Sequence, residues 1–253
     1  MVLLVTGAAV AACSQAAGGQ EETGSGRTLV VLAAASLTET FTMIAEDFEA
    51  AHPDVEVELG LAGSAEVVQQ VLAGAPADVV ATASTSTMDL LTDAVLVTAP
   101  RTFATNTLEI AVPVGDPAGV EGLPDLARPG VTVAVCAPEV PCGEATRDLL
   151  TTAGIDIVPV TLETDVRAVL TKVRLGEVDA GLVYRTDVRA AAGDVTGVPL
   201  APVVDASGGA GRTTYPVAAL ADAPAGDLAE VFVEHVLGPR GQAVLADAGF
   251  GPP

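Results

Sequence analysis

The stretch Leu29–Glu39 constrains the fold of this chain more than any other. A β-rich apolar run ends in three alanines, and Ser36 then opens an amphipathic segment. Ser36 and Glu39 have the spacing of a capping box, which predicts the start of a helix. In an open α/β sheet, ligands bind where strands end and helices begin, and the free N–H groups of a first helical turn favour an anion. The sequence therefore predicts an anion site beside Ser36, where small alanines let a ligand approach the backbone.

Strands alternate with helices along most of the chain. One set of β and α segments begins at Leu29, and a second begins at Val131. This alternation predicts an α/β fold with mostly parallel sheets flanked by helices. We expect two lobes with the ligand cleft between them. Lobe 1 is predicted at 27–106 and 214–253, and lobe 2 at 107–213.

The charge balance argues against one class of partner. The chain has 33 acidic and 11 basic residues, a net charge of −22. It has no basic stripe to meet a phosphate backbone, so nucleic acid is excluded as a partner. The mean hydropathy of +0.50 is high, yet no continuous apolar run reaches the length of a membrane span.

The cysteines indicate export. Cys13 ends a short apolar stretch that resembles the lipobox of bacterial lipoproteins, which predicts a signal segment at 1–13 with lipidation at Cys13. The alternative is the tail of an ordinary signal peptide. Residues 14–26 are rich in Ser, Gly, Gln and Glu and predict a flexible tether. Cys136 and Cys142 remain as an even pair, and a disulfide between them would suit an exported protein.

Four strand-to-helix junctions share one form, a small or apolar residue followed by a helix N-terminus, and each lobe contributes two. Tyr184, at the end of a predicted strand, could add a phenolic hydroxyl. Each residue also has an ordinary explanation: a serine serves as an N-cap, a valine fills a core, and a buried tyrosine finds a partner. In the second lobe, Thr164 is predicted to cap a helix at 165–175. The junctions are Ala35-Ser36-Leu37, Gly63-Ser64-Ala65, Pro141-Cys142-Gly143 and Asp165-Val166-Arg167.

Five segments, in order, resemble the molybdate-binding proteins of bacterial ABC importers. The resemblance covers about 28–250 and implies the type II periplasmic-binding-protein fold. It also implies an importer permease as partner, a monomer, and a place outside the cytoplasm, either lipid-anchored or periplasmic. The segments are Ala33–Thr38, Gly74–Val79, Val140–Gly143, Asp165–Arg167 and Gly181–Tyr184.

In that family the oxyanion is held by neutral donors alone. The resemblance implies side-chain donors at Ser36, Ser64 and Tyr184 and backbone donors at Cys142 and Val166, with molybdate or tungstate as the ligand and no cofactor. Cys142 stands where the family commonly has alanine, which leaves a backbone donor intact. Molybdate and tungstate are nearly the same size, so the sequence does not separate them.

The sequence leaves two other functions open. One is binding of sulfate or another small anion in the same fold. The other is an enzyme with Cys142 as nucleophile, which would need a nearby base. The two histidines, His52 and His235, are expected at the surface, and neither Ser36 nor Ser64 lies in a Gly-x-Ser-x-Gly turn. The sequence therefore favours a binding protein over an enzyme.

Overall fold

A computed structural model describes residues 26–200 and 209–253. The predicted lipidation site Cys13 and nearly all of the predicted tether at 14–26 lie outside the described residues. Nine strands and eight α-helices are found within these ranges. The strands are β1 (Arg27–Ala34), β2 (Val55–Ala62), β3 (Val79–Ala81), β4 (Arg101–Pro113), β5 (Val133–Cys136), β6 (Thr161–Glu163), β7 (Ala180–Tyr184), β8 (Val195–Val198) and β9 (Arg212–Ala219).

The helices alternate with the strands through most of the chain, and a pair of them closes it. They are α1 (Thr38–Ala51), α2 (Ser64–Leu72), α3 (Thr85–Asp93), α4 (Pro141–Ala153), α5 (Val166–Arg174), α6 (Arg185–Ala190), α7 (Gly226–Leu237) and α8 (Pro239–Ala248).

The sheet follows the order β2-β1-β3-β9-β4-β7-β5-β6, with β8 paired to β4. Strand β1 is parallel to β2 and β3, and β5 is parallel to β6 and β7. Every antiparallel pair involves β4 or β9, the two strands that cross the middle of the molecule. The predicted α/β class with mostly parallel sheet flanked by helices is confirmed.

Apolar residues pack on both sides of this crossing. Around β1, alternate residues face opposite layers: Leu29 and Val31 pack in the layer of α1 and α7, and Leu32 packs in the layer of α2 and α3. These cores draw on 29–104 and 215–250, whereas a third core draws on 108–200. Strand β4 joins the two regions, because Arg101–Thr107 pairs with β9 and the rest of β4 pairs with β7 and β8.

Two buried or half-buried aspartates tie strand ends together. Asp78 ends the run Gly74–Asp78, and its carboxylate accepts hydrogen bonds from the N–H groups of Val30 (2.8 Å) and Ala225 (2.7 Å). Asp179 does the same in the other half of the sheet, accepting from the N–H of Thr132 at 2.8 Å. Asp78 belongs to the segment Gly74–Val79, one of the five that carry the family resemblance. Its role there is structural, because its hydrogen bond to Val30 holds β1 beside β3.

Two boundaries differ from those that the sequence pattern predicts. The apolar residues at 158–162 predict a strand, which is shorter and later, at Thr161–Glu163, and the pattern at 144–152 predicts a helix, which begins at Pro141. Proline suits the first turn of a helix because an N–H in that turn has no intrahelical acceptor, so the missing N–H of proline costs no hydrogen bond. No helix in the described part of the chain is long and apolar enough to span a membrane.

The two histidines do not lie free at the surface as expected. His52 stacks on Phe48, with ring centroids 4.2 Å apart, and its Nδ1 lies 2.9 Å from the Phe48 carbonyl. His235 packs edge-on to the same ring, and its Nε2 is 3.0 Å from Asp47. Burial lowers the pKa of His235, although Asp47 opposes that shift. Both histidines are partly buried because their rings pack against Phe48 of α1.

Candidate functional site

A cavity of about 20 Å³ lies where the strand-to-helix junctions of the two halves meet. It is far below the roughly 300–1,000 Å³ of pockets for drug-sized ligands, so it suits a compact ion. All five residues predicted as ligand donors line it, and their role as donors stays a prediction. The lining residues are Ala34, Ala35, Ser36, Gly63, Ser64, Ala83, Val140, Pro141, Cys142, Thr164, Asp165, Val166 and Tyr184.

Ser36 lies in a short 3-10 turn, Ala35–Leu37, between β1 and α1. The predicted capping box with Glu39 was wrong, because the N-cap of α1 is Leu37 and no side chain caps it. The Ser36 hydroxyl instead lies 3.0 Å from the hydroxyl of Tyr215. The serine is therefore held by a distant strand and remains buried at the cavity wall.

Ser64 is the first residue of α2, and Gly63 is its N-cap. The ordinary explanation of Ser64 as an N-cap is thus wrong. Its Oγ accepts a hydrogen bond from the N–H of Ala83 at 3.0 Å. Because the acceptor role of this hydroxyl is used from behind, its proton is available to the cavity.

Two backbone N–H groups at the cavity have no acceptor among the described residues. Cys142 and Val166 lie in the first turns of α4 and α5, where no intrahelical acceptor exists. Asp165, not the predicted Thr164, caps α5: its carboxylate accepts from the N–H groups of Arg167 and Ala168 at 2.8 and 3.0 Å. The cap satisfies those two groups, and no described residue accepts a hydrogen bond from the N–H of Val166.

A disulfide holds the N-terminus of α4 against β5. The structure joins Cys136 and Cys142, whose Cα atoms are 5.7 Å apart. Gly143 follows, where an added Cβ would lie 1.8 Å from the Ala137 carbonyl oxygen, so only glycine fits. These two features fix the backbone that carries the N–H of Cys142. A bonded Cys142 sulfur also cannot act as a nucleophile.

Tyr184 ends β7 and is 1% exposed, yet its hydroxyl has no hydrogen-bond partner among the described residues. Burial raises the pKa of this phenol well above its ordinary value, and Tyr215 and Asp187 add to the rise. The hydroxyl therefore keeps its proton at neutral pH. A buried donor without an acceptor is costly, so this atom marks a place for a ligand oxygen.

The chain matches the family model of the bacterial extracellular solute-binding proteins over residues 29–251. This protein belongs to that family. It is 42% identical over 231 residues to the molybdate-binding protein ModA of Mycobacterium tuberculosis, covering 90% of this chain and 85% of the relative. These relatives place the chain among the binding components of importers rather than among enzymes.

Two solved structures show the same fold at low identity. The periplasmic molybdate-binding protein of Azotobacter vinelandii has a TM-score of 0.74 at 21% identity, covering 89% of this chain and 99% of that one. The sulfate-binding protein SubI of M. tuberculosis also has a TM-score of 0.74 at 21% identity, covering 89% of this chain and 87% of that one. Two proteins named for different oxyanions therefore share the fold of this solute-binding protein.

The described lining of the cavity contains one carboxylate, that of Asp165, whose Oδ1 accepts the two hydrogen bonds that cap α5. Behind the wall, Asp187 accepts a hydrogen bond from the N–H of Tyr184 at 3.0 Å, and burial raises its pKa to about 7. No group of His, Cys, Asp or Glu in 26–200 and 209–253 could hold a metal ion.

Sequence reasoning missed two polar residues beside the cavity of this solute-binding protein. Tyr215 lies within β9 and Asn106 lies within β4, away from the four strand-to-helix junctions, so the junction pattern indicates neither residue. One sequence observation could have found the first of them: the chain has just two tyrosines, Tyr184 and Tyr215, and both are fully buried. Their rings lie 6.1 Å apart.

Proposed function

We propose that this solute-binding protein captures molybdate, and with it tungstate, for an ABC importer. The donors are the hydroxyls of Ser36, Ser64 and Tyr184 and the N–H groups of Cys142 and Val166. The observation that carries the proposal is the Tyr184 hydroxyl, which is buried at the cavity and has no hydrogen-bond partner in 26–200 and 209–253. The relative at 42% identity, named a molybdate-binding protein, supports this choice of ligand.

The chemistry of the donors supports a fully ionised anion. A molybdate dianion has four acceptor oxygens and no proton, so it needs donors only. Hydrogen bonds to a charged group contribute about 1.5–3 kcal/mol each, and several of them hold a dianion without a buried cation. The helix N-termini of α2, α4 and α5 add the favourable end of their dipoles.

Size is the remaining basis for selecting among dianions. Sulfate presents the same charge and the same acceptors as molybdate but is smaller, so the donors must stand at the distance that fits the larger ion. Since a sulfate-binding protein shares this fold, the fold itself does not decide between them. Binding of sulfate or another small anion is the alternative that the experiment below tests.

We also propose that the molecule closes on its ligand as two lobes, 27–106 with 214–253 and 107–213. The division is supported by the hydrophobic cores, whose fully buried members do not cross these boundaries, while the partly buried Ala65 of the first lobe packs against the core of the second. Contacts between the lobes surround the cavity: Ser86 Oγ donates to Glu144 at 2.7 Å, and Arg167 Nε donates to the Ala35 carbonyl at 3.3 Å. The hinge would lie in β4 and β9.

The family places the protein outside the cytoplasm as part of an importer. We propose in addition that Cys13 carries a lipid anchor, that 14–26 forms the tether, and that the protein acts as a monomer. The proposed monomer is supported by the donor set, because all five residues come from one chain. The permease of the importer would then receive the oxyanion from the anchored protein.

Calorimetric titration of the protein with molybdate, tungstate, sulfate and phosphate tests the proposal. We expect one-to-one binding of molybdate and tungstate, and far weaker binding of sulfate and phosphate. Binding of sulfate but not of molybdate would support the same site and would replace molybdate by sulfate as its ligand. If none of the four anions binds, the proposed function fails, and the four junctions are helix N-termini that hold no anion.

A further inference from the structure

A second cavity, a groove of about 520 Å³, lies between α4 and residues 155–162. It shares no described lining residue with the cavity of about 20 Å³ at the junctions, although the Cys136–Cys142 bridge joins the two walls. Its volume lies within the roughly 300–1,000 Å³ of pockets for small organic molecules. Gly143 and Gly154 both line the groove, which therefore follows α4 for about 16 Å. These dimensions suit an elongated organic ligand.

Apolar side chains form much of the wall of this groove. Leu150, Ile155 and Ile157 are half-buried and pack against the core that draws on 108–200. Leu162, on the edge strand β6, lines the same groove and is 55% exposed. Because apolar surface is driven out of water, these side chains favour a ligand with an apolar body.

Arg147 supplies a positive charge at the groove. Its side chain is exposed, and its guanidinium has no hydrogen bond or ion pair with any residue in 26–200 and 209–253. By contrast, Arg174 pairs with Asp194 and Arg240 pairs with Asp47. Although the chain has 33 acidic and 11 basic residues, no described carboxylate pairs with this guanidinium, which is therefore open to an anionic group of a ligand.

The hydroxyl of Thr146 is a second donor at the groove. Threonines in helices commonly donate to the carbonyl four residues earlier, as Thr42 and Thr171 do here. Thr146 lines the groove and is 4% exposed, yet its Oγ1 has no hydrogen-bond partner among the described residues. A buried hydroxyl without a partner is costly, so this atom marks a place for a ligand oxygen.

We propose that this groove is a second ligand site, which binds an amphipathic organic monoanion. The Arg147 guanidinium and the Thr146 hydroxyl hold the anionic head, and the apolar body lies along Leu150 and Ile155. Asp156 follows the C-terminus of α4, where its carboxylate and the helix dipole both disfavour an anion, so the head takes the Arg147 end. The inference does not rest on the proposed function.

Anilinonaphthalene sulfonate tests the inference, because it joins an apolar ring system to one anionic group and fluoresces strongly in apolar surroundings. Fluorescence titration of the folded full chain should show saturable one-to-one binding. The matched variants are Arg147→Ala and Arg174→Ala, which remove the same charge from two exposed side chains of the same half. We expect Arg147→Ala to weaken binding by about tenfold and Arg174→Ala to leave it unchanged.

Thr146→Val separates ligand contact from stability, because valine keeps the shape of threonine and removes its hydroxyl. We expect the sulfonate to bind roughly fivefold more weakly, with no loss in the free energy of unfolding in urea, because the deleted hydroxyl has no partner among the described residues. Unchanged binding, or a loss of stability together with binding, would overturn the role of this hydroxyl at the site.

Displacement of the sulfonate by decanoate and by decyltrimethylammonium tests the charge of the head. These ligands have alkyl chains of about the same length and opposite charges, and both are used below the concentrations at which they aggregate. A chain of net charge −22 attracts the cation in general, so a preference for decanoate requires a local cationic site. We expect decanoate to displace the sulfonate at the lower concentration, and Arg147→Ala to abolish that preference.

The possible results are distinct. Absence of saturable binding, equal losses in Arg147→Ala and Arg174→Ala, or displacement by the cation as readily as by decanoate each overturns the inference. Failure of the proposed function gives a different result, because a protein that binds the sulfonate in this groove but binds no molybdate keeps the second site and loses the first.

Discussion

The guanidinium Nε of Arg167 lies 3.3 Å from the carbonyl oxygen of Ala35, a residue 132 positions away in the chain. The same guanidinium pairs with Glu39 and lies 3.8 Å from Asp187. Ala35 and Glu39 follow β1, whereas Arg167 belongs to α5 in the other half of the sheet. The Arg167 side chain thus connects the junction that contains Ser36 with the junction that contains Val166.

Arg167→Ala should weaken molybdate binding by roughly tenfold, mainly through faster release. The contacts of Arg167 with Ala35 and Glu39 hold the closed arrangement, and their loss shortens its lifetime. Stopped-flow displacement of bound molybdate measures the release rate directly. The control is Arg174→Ala on the same helix, whose exposed pair with Asp194 does not reach the other half. Equal release rates for the two variants would contradict this role.

Removing single donors should cost affinity without unfolding the protein. Ser36→Ala, Ser64→Ala and Tyr184→Phe each delete one hydrogen bond to a charged ligand, which corresponds to roughly a 10- to 100-fold rise in Kd. Calorimetric titration with molybdate measures the change.

Ser84→Ala is the contrasting variant for these donor substitutions. Ser84 caps α3 by accepting from the N–H of Thr87 at 3.2 Å and does not line the cavity. Its loss should lower the free energy of unfolding by about 1 kcal/mol and leave the Kd for molybdate close to that of the unaltered protein. An equal loss of affinity in Ser84→Ala would mean that the donor variants act through stability.

The strand-to-helix pattern predicted which residues surround the cavity. Ser36, Ser64, Cys142 and Val166 each follow a strand, and the ends of strands that share a direction meet at one edge of a sheet. A strand and the residue that follows it are close in the sequence, so an apolar run followed by small residues indicates where such a residue lies. Tyr184 was found in the same way, at the end of β7.

The roles of the serine hydroxyls could not be predicted in that way. A serine followed three residues later by glutamate indicates a capping box, but the Ser36 hydroxyl forms its hydrogen bond with Tyr215, which lies 179 positions further along the chain. No local pattern encodes a partner at that distance. The prediction of Thr164 as a cap failed for a different reason: Asp165 is adjacent, and its carboxylate is the stronger acceptor for two N–H groups.

The Cys136–Cys142 bond should matter more for stability than for ligand chemistry. Replacing both cysteines by alanine removes a short cross-link, worth about 2 kcal/mol in the loop-entropy model. Binding should persist with a modest rise in Kd, because the donor at Cys142 is a backbone N–H that alanine also provides. Urea unfolding and titration with molybdate measure the two effects. Loss of binding in a stable double variant would show that the sulfur itself is needed.

Asp187 should make the stability of the ligand-free protein depend on pH in an unusual direction. Burial raises the pKa of this carboxyl from 3.8 to about 7, although Arg167 and the N–H of Tyr184 oppose the rise. Between about pH 4 and pH 7 the native state therefore binds more protons at this group than the unfolded state does. Its contribution to the free energy of unfolding is greatest at the acid end and is lost as the pH rises through 7, at up to about 1.4 kcal/mol per pH unit.

The variant Asp187→Asn isolates that contribution, because asparagine keeps an oxygen that accepts from the N–H of Tyr184 but does not titrate. Urea unfolding of both proteins from about pH 4.5 to pH 8 gives the difference in stability between them. We expect the unaltered protein to lose stability relative to Asp187→Asn as the pH rises. A difference that stays constant over this range would mean that Asp187 is ionised throughout, with Arg167 outweighing the effect of burial.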